Sequence, residues 1–155
     1  MRVIRYADAI MNRIEEPEWR IRALGHSHAV AALAALLARR RGLDADVAAV
    51  CGILHDLAAY ERRSYEAHAA YGAQRALEVL RELGETEASV LECVRSAILR
   101  HDDLRETDGP MDEVLKDADL LDNAQLKAPQ ELKAWEAERL RRVYEELGMP
   151  EGQGF

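Results

Sequence analysis

The sequence has few cysteines, few aromatic residues and a deficit of positive charge. Its two cysteines, Cys51 and Cys93, both lie in apolar helical patterns. We therefore interpret them as core residues of a reducing compartment rather than as a disulfide or a thiolate metal site. The net charge of −8 argues against nucleic-acid binding, which needs a basic surface. Because no signal peptide, polybasic arm or apolar run of about 18 residues is evident, we expect a cytoplasmic protein without a membrane partner.

Strong helix formers dominate the chain, and apolar residues recur at the helical period throughout. A chain of 155 residues is long enough to bury a core as one domain. We predict an all-α fold, a single-domain helical bundle over residues 1–155, with a motif-bearing core at about residues 22–124. The predicted helices are Val3–Ile14, a short segment at Trp19–Ala23, His26–Arg41, a buried helix capped by Asp44 and ending near Leu57, Ser64–Leu83, Thr86–His101, Asp112–Gln125, and a peripheral C-terminal helix from Pro129 to Gly148.

An adjacent histidine and aspartate, His55 and Asp56, end the most apolar predicted helix. Residues 47–54 are apolar on every side, which is typical of a buried helix. Placing an imidazole and a carboxylate there is costly unless both are paired. A divalent cation bound by the two side chains would remove that cost. Hydrogen bonds to neighbouring residues are the alternative explanation for an isolated pair of this kind.

The other histidines differ in whether they lie on inward helix faces. His26 shares a face with apolar residues at helical spacing, whereas His28 points almost the opposite way. We therefore predict that His26 is a metal ligand and that His28 is not. Asp119 lies on an apolar stripe and His101 ends another, so both are candidate ligands. His68 borders an apolar stripe, and for this residue a ligand role and a surface role are both open.

Imidazole and carboxylate ligands without a thiolate suit Zn, Fe, Mn, Co or Ni. Helices that converge in a bundle can present such ligands without a loop scaffold. A site with one ion and open positions for water and substrate would use His26, His55, Asp56 and Asp119. Adding His68 and His101 makes room for a second ion, with Asp56 as the bridge because a carboxylate has two oxygens. We therefore expect one or two divalent transition-metal ions.

The order of these residues resembles the HD superfamily of metal-dependent phosphohydrolases. The pattern of that superfamily is a His, a distant His-Asp doublet on a buried helix, and a later Asp. Residues 25–30, GHSHAV, look like its first-His segment, which gives the ligand role to His26. The pair His55 and Asp56 matches the doublet, and residues 116–122, KDADLLD, look like the Asp segment with Asp119 as ligand. The resemblance covers roughly residues 22–124.

Two further segments resemble the dinuclear branch of this superfamily, which includes bacterial dinucleoside-tetraphosphate hydrolases and diiron oxygenases. They are residues 68–73, which begin with His68, and residues 98–101, which end with His101. One departure concerns a Lys that many phosphohydrolase members carry three or four residues after the Asp of the doublet. This chain has Ala59 and Tyr60 at those positions.

The resemblance implies a metal-dependent hydrolase that cleaves a phosphate ester or anhydride of a nucleotide-like small molecule with metal-activated water. His55, Asp56 and Asp119 would then form the catalytic centre. Arg22, one turn before the first ligand, and Lys116 are candidates for contact with the substrate phosphate. Two alternatives are open: a diiron oxygenase at the same six ligands, and a non-catalytic module that binds a metal or nucleotide. The expected partner is a small phosphorylated substrate, and a homodimer is also compatible with the sequence.

Overall fold

The computed structural model describes residues 2–125 and 131–149, and these ranges contain eight helices and no strand. The predicted all-α fold is therefore confirmed. The helices are α1 (Arg2–Met11), α2 (Pro17–Arg40), α3 (Ala45–Leu54), α4 (Leu57–Arg62), α5 (His68–Glu82), α6 (Ala88–Arg100), α7 (Pro110–Ala124) and α8 (Ala134–Leu147). Helix α2 is central and packs against both α3 and α7, while α5 packs against α4 and α6.

Helix α2 runs unbroken where the sequence predicted two separate segments. Pro17 occupies its first helical position, where a missing backbone N–H has no intrahelical partner to lose. Gly25 lies within the helix and does not end it. A helical glycine costs only about 1 kcal/mol relative to alanine, and tertiary packing supplies most helix stability in proteins. The predicted first ligand, His26, is consequently held on a continuous helix.

The length and composition of α2 are also those of a helix able to cross a membrane. This differs from the expectation that the chain has no apolar run of that length. A single helix of this kind is weak evidence for a membrane span, because core helices of soluble proteins can have the same length and composition. In this fold α2 packs against α3 and α7. The expected absence of a membrane partner stays a prediction.

The predicted helix that contains the His-Asp doublet is divided in two. Helix α3 ends at Leu54 and α4 begins at Leu57, so the prediction of one helix to Leu57 is wrong. The backbone of His55 is still helical, but Asp56 has φ −104° and ψ 5°, which breaks the helical path. The start of α3 agrees with the sequence, since the Asp44 carboxylate accepts two backbone N–H groups there. The doublet thus lies in a turn between two buried helices.

The starts of the later helices also differ from the predicted ones. Helix α5 begins at His68 rather than at Ser64, because Ala67 has a left-handed backbone with φ 50° that a helix cannot continue through. Helices α6 and α7 each start two residues from the predicted position. Helix α8 begins at Ala134, whereas the predicted start, Pro129, lies outside the described residues.

Two glycines allow the helices to approach closely around the doublet. A Cβ atom at Gly52 would lie 2.5 Å from Cα of Ala31 on α2, which is far inside van der Waals contact. A Cβ atom at Gly72 on α5 would overlap the backbone carbonyl oxygen of His55. Glycine is therefore required where α2 and α5 meet the segment that carries the doublet.

Candidate metal centre

The structure brings the six predicted ligands together where α2, α5, α6 and α7 meet the α3–α4 turn. The four imidazoles form two pairs: Nε2 of His26 lies 3.2 Å from Nε2 of His55, and Nε2 of His68 lies 3.2 Å from Nε2 of His101. The rings of His55 and His101 are in edge contact at 5.1 Å, which joins the pairs. Oδ1 of Asp119 completes the first pair, 3.1 Å from Nε2 of His26.

Asp56 lies between the two imidazole pairs. Its Oδ2 is 3.8 Å from Nε2 of His26 and 3.5 Å from Nε2 of His55. Its Oδ1 is 3.8 Å from Nε2 of His68 and 3.7 Å from Nε2 of His101. Among the residues that the structure describes, this Oδ1 atom is buried and has no hydrogen-bond partner, which is costly for a carboxylate. A cation beside each pair would satisfy both oxygens, so Asp56 has the position of a bridging ligand.

The proton positions on the four imidazoles follow from their partners. Each ring donates its Nδ1–H to a fixed acceptor, which leaves a lone pair on each Nε2 of the neutral ring. The four donor–acceptor pairs are His26 to Asp122 Oδ2 at 2.6 Å, His55 to Gly52 O at 2.7 Å, His68 to Tyr65 O at 3.0 Å, and His101 to Ile98 O at 2.7 Å. Metal-binding histidines are typically oriented in this way. Two lone pairs 3.2 Å apart repel each other unless a proton or a metal ion lies between them.

The electrostatics of the cluster favour a bound positive charge. Burial lowers the pKa of His55, but Asp56 and then Asp119 oppose it and raise that pKa to about 9. Burial lowers the pKa of His101, and the charge of His55 lowers it further. Burial would raise the pKa of Asp119, yet hydrogen bonds with His26 and His55 hold it far below its ordinary value. A divalent cation fits this donor set, since it would replace the proton that the imidazoles otherwise share.

Two residues beside the cluster orient its ligands. Asp122 accepts the Nδ1–H of His26 at 2.6 Å. Asn123 donates from Nδ2 to Oδ1 of Asp119 at 2.9 Å. Asn123 was not among the predicted site residues, although its spacing of four residues from Asp119 on one helix is typical of such a contact.

His28 lies away from the cluster, as its predicted helical direction indicated. Its side chain is 46% exposed, and Nε2 lies 2.7 Å from Oδ1 of Asp8 on α1. Because the His28 side chain pairs with α1, it is not one of the imidazoles that surround Asp56.

Lys116, predicted to contact the substrate, binds acidic and backbone groups of the protein itself. Its side chain is fully buried, and Nζ donates to Oδ2 of Asp108 at 2.6 Å and to the carbonyl oxygen of Glu106 at 2.9 Å. Oε1 of Glu113 lies 3.2 Å from the same nitrogen. The ammonium group therefore holds the loop before α7, and the substrate contact of Lys116 stays a prediction.

Arg22 lies against an aromatic wall beside the cluster. Its Nε donates to the hydroxyl of Tyr65 at 3.4 Å, and its guanidinium lies 6.0 Å from the centre of the Tyr65 ring. Tyr65 stacks on Trp19 with ring centres 5.9 Å apart and meets His68 edge-on at 5.5 Å. The predicted contact of Arg22 with substrate stays a prediction, and the structure places the residue where such a contact is accessible.

A cavity of about 530 Å³ opens beside His26. Its exposed lining is largely apolar, and the described residues that line it include one arginine and two acidic residues. Volumes of this size hold small-molecule ligands in other proteins. The lining residues are Glu18, Ile21, Arg22, Gly25, His26, Asp122, Asn123 and Gln125.

The fold and the cluster define an all-α protein with a histidine- and aspartate-rich candidate metal centre. The family model of the HD domain matches residues 23–125, and the chain belongs to this family. A crystal structure at 1.45 Å resolution, described as a predicted HD superfamily hydrolase from an uncultured Thermotogales bacterium, is similar in fold. It matches with a TM-score of 0.66 and 22% identity over 95% of this chain and 88% of that chain. A search of curated proteins gave no match.

Membership of the HD domain family and the His/Asp cluster together support a metal-dependent hydrolase. Two groups of residues could each hold a metal ion: His26 with His55 and Asp119, and His55 with Asp56 and His101. Within each group, the potential ligand atoms all lie within 4.8 Å of one another. The structural likeness supports the fold. The bond that is cleaved, the substrate and the identity of the metal belong to the proposal below.

Proposed function

We propose that the protein is a metal-dependent phosphohydrolase that cleaves a phosphate ester or anhydride of a nucleotide-like small molecule. The observation that carries this proposal is the position of Asp56, whose two carboxylate oxygens each face one imidazole pair. Such an arrangement could hold a cation beside each pair, and many enzymes that hydrolyse phosphate esters use two metal ions.

The six ligand residues would hold the cations, which supply Lewis acidity and lower the pKa of bound water. The chain itself contributes orientation and charge. Asn123 fixes the Asp119 carboxylate, and Asp122 fixes the His26 ring. Asp119 stays ionised because its pKa is held low, so it can accept a hydrogen bond from the attacking water and orient it. Catalysis of this kind is mainly electrostatic and depends on groups that are positioned before the substrate arrives.

The surroundings of the cluster support a substrate with an organic group attached to phosphate. Among the described residues that line the cavity beside His26, Arg22 is the only arginine or lysine, and Glu18 and Asp122 are the two carboxylates. The phosphate group therefore fits best at the cluster and Arg22, with a neutral organic group in the cavity. The stacked pair of Trp19 and Tyr65 offers an additional surface for a planar group such as a nucleobase.

The experiment compares the parent protein with Asp56→Asn and His28→Ala. Each protein is stripped of metal, reloaded separately with Mn, Fe, Zn, Co or Ni, and tested for phosphate release from a panel of phosphorylated metabolites without O2. We expect release by the parent and by His28→Ala, and at least a hundredfold loss in Asp56→Asn, in line with the loss of a catalytic group. Equal release by Asp56→Asn, or no release by the parent on any substrate, would contradict the proposal.

A diiron oxygenase is the second candidate, and the two-sided position of Asp56 favours it equally. The same six ligands would hold two iron ions in that case. Turnover of a phosphorylated substrate without O2 excludes the oxygenase, whereas strict dependence on O2 in the iron-loaded protein excludes the hydrolase.

A further inference from the structure

The side of α2 that faces away from the core carries an apolar stripe. The buried side of this helix packs against α3 and α7. On the opposite side, residues at intervals of three or four share one face, and they are Ile21, Gly25, Ala29, Ala32 and Leu36. The two large side chains are open to solvent, with Ile21 71% and Leu36 44% exposed. Solvent-facing helix surfaces normally carry polar residues, so a continuous apolar stripe indicates a surface that binds another molecule.

Opposite charges stand at the two ends of this stripe. Glu18 precedes Ile21 by three residues and Arg39 follows Leu36 by three, so both lie on the same face. Both side chains are exposed, and within the described part of the chain neither has a hydrogen bond or an ion pair. The face is therefore apolar in its middle, acidic at one end and basic at the other.

A second copy of α2 complements these charges when it runs antiparallel to the first. A two-fold axis that passes beside residues 28 and 29 places Glu18 of each copy opposite Arg39 of the other, so the pair occurs twice. A parallel pairing would instead bring Glu18 against Glu18 and Arg39 against Arg39, and like charges oppose association. The charges therefore favour the antiparallel orientation.

The apolar residues of the stripe fit the same register. The axis places Ile21 opposite Leu36, so each large side chain meets another large one. Gly25 and Ala32 meet between them, and small side chains at a contact allow two helices to approach closely. The space beside Gly25 is open, since a Cβ atom added there would have no atom within 4 Å. Size and charge thus agree on one register.

We infer that the protein forms a homodimer through this face of α2, with the two helices antiparallel. The stripe from Glu18 to Arg39 is about 31 Å long and a helix is about 10 Å wide, which gives a contact of roughly 300 Å² per copy. Stable interfaces bury about 800 Å² per partner, so this dimer is weak and reversible, with a Kd of roughly 10–500 µM. Glu18 and Ile21 also line the cavity beside His26, so the second copy borders that cavity. The inference does not depend on the proposed hydrolysis.

The test measures the oligomeric state of the full chain by sedimentation velocity, from about 1 µM to about 1 mM protein. Leu36→Glu places a charge opposite Ile21. Glu18→Arg and Arg39→Glu each replace the attractive pairs by repulsive ones, and the double variant restores opposite charges in reversed order. Arg81→Glu, at an exposed position on α5, is the control that changes the net charge by the same amount as Arg39→Glu.

We expect the parent to associate reversibly and Leu36→Glu to stay monomeric at every concentration. Each single charge reversal should weaken dimerisation roughly tenfold, because two exposed ion pairs are lost and two repulsions replace them. The double variant should return to within about threefold of the parent, and Arg81→Glu should match it. The Tm of each variant at about 1 µM should lie within about 2 °C of the parent, because the altered side chains are exposed.

A disulfide across the axis tests the register. Cys93 is partly exposed and is first replaced by Ser, whereas Cys51 is buried. In the antiparallel dimer the two copies of Ala29 face each other. The two copies of Ala32 lie about 10 Å apart along the helix axis, beyond the Cα separation of about 7 Å that a disulfide can span. Ala29→Cys should therefore form a disulfide-linked dimer under mild oxidation, and Ala32→Cys should not.

Three outcomes would overturn the inference. The first is a parent that stays monomeric at about 1 mM, and its binding to phosphatidylcholine vesicles would then assign the face to a lipid surface. The second is a dimer that Leu36→Glu and both charge reversals leave unchanged, because such a dimer uses another surface. The third is equal cross-linking of Ala29→Cys and Ala32→Cys, which contradicts the antiparallel register.

Discussion

The close contact between α2 and α3 gives a sharp prediction about Gly52. A Cβ atom there would lie 2.5 Å from Cα and 2.6 Å from N of Ala31, both backbone atoms of α2. Because carbon atoms pack best at about 3.5–4.0 Å, Gly52→Ala would force α2 and α3 apart by about 1 Å. Backbone atoms within a packed helix cannot move aside as a flexible side chain can, so the whole contact must adjust.

The energetic consequence of Gly52→Ala is a balance of two effects. Overpacking costs up to about 3 kcal/mol, whereas replacing a helical glycine by alanine gains about 1 kcal/mol. The net loss of about 2 kcal/mol corresponds to a Tm lower by about 4–8 °C for a chain of this size. Gly25 is the control, since it lies in α2 with no atom within 4 Å of an added Cβ. Gly25→Ala should raise Tm by about 2–4 °C, from helix propensity alone.

The assay is thermal unfolding of the parent and the two variants, followed by circular dichroism in the presence of a chelator. A second measurement is metal affinity, because α2 carries His26 and α3 leads into His55. Their Nε2 atoms are 3.2 Å apart, and ligand positions must hold to about 0.5 Å, so Gly52→Ala should weaken metal binding by roughly tenfold or more. Gly52→Ala with a Tm equal to that of Gly25→Ala would refute the close approach of α2 and α3.

Three further predictions concern single side chains. His55→Ala should lose the bound metal while His28→Ala retains it, as measured by elemental analysis of purified protein; the reverse result would contradict the assigned helix faces. Asp122→Asn should keep the fold but lower metal affinity about 10–100-fold, measured by chelator competition, because the imidazole partner loses its anionic acceptor. The hydrogen bond from Lys116 lowers the pKa of Asp108. The stability that this ion pair gives the folded protein is therefore present above about pH 3.9, the ordinary pKa of an aspartate. This stability is lost as the pH falls through the lower pKa that Asp108 has in the folded protein. Asp108→Asn should then flatten the acid side of a Tm-versus-pH profile, and an unchanged profile would exclude this pair as a source of stability.

The helix class of the fold was predictable because apolar residues recur at helical spacing along almost the whole chain. The helix boundaries were less predictable. The sequence predicted separate segments ending at Ala23 and starting at His26, yet α2 continues through Gly25 between them, since packing on α3 and α7 outweighs the small cost of one glycine. The left-handed residue before α5, Ala67, has no sequence signal, because alanine rarely adopts that conformation.

The face of a helix was enough to find most of the candidate site. A helical period of 3.6 residues places the side chains of His26 and His28 on opposite faces of the helix. In the structure, His26 contacts His55 and His28 contacts Asp8 on α1. The contacts of Lys116 were not predictable in the same way. Its partners, Asp108 and the carbonyl of Glu106, lie in the loop that precedes α7. The path of a loop cannot be inferred from the helix pattern alone.

The central position of Asp56 depends on the turn that the sequence did not predict. Adjacent residues of a regular helix point about 100° apart, so a continuous helix would direct the carboxylate away from the imidazole before it. The break after His55, at Asp56 with ψ 5°, lets both side chains of the doublet converge. Gly72 then brings α5 onto the carbonyl of His55, and His68, one turn earlier on α5, reaches the far oxygen of Asp56. The two-sided centre is therefore a consequence of one broken helix and one close helix contact, both set by backbone geometry rather than by the ligand residues.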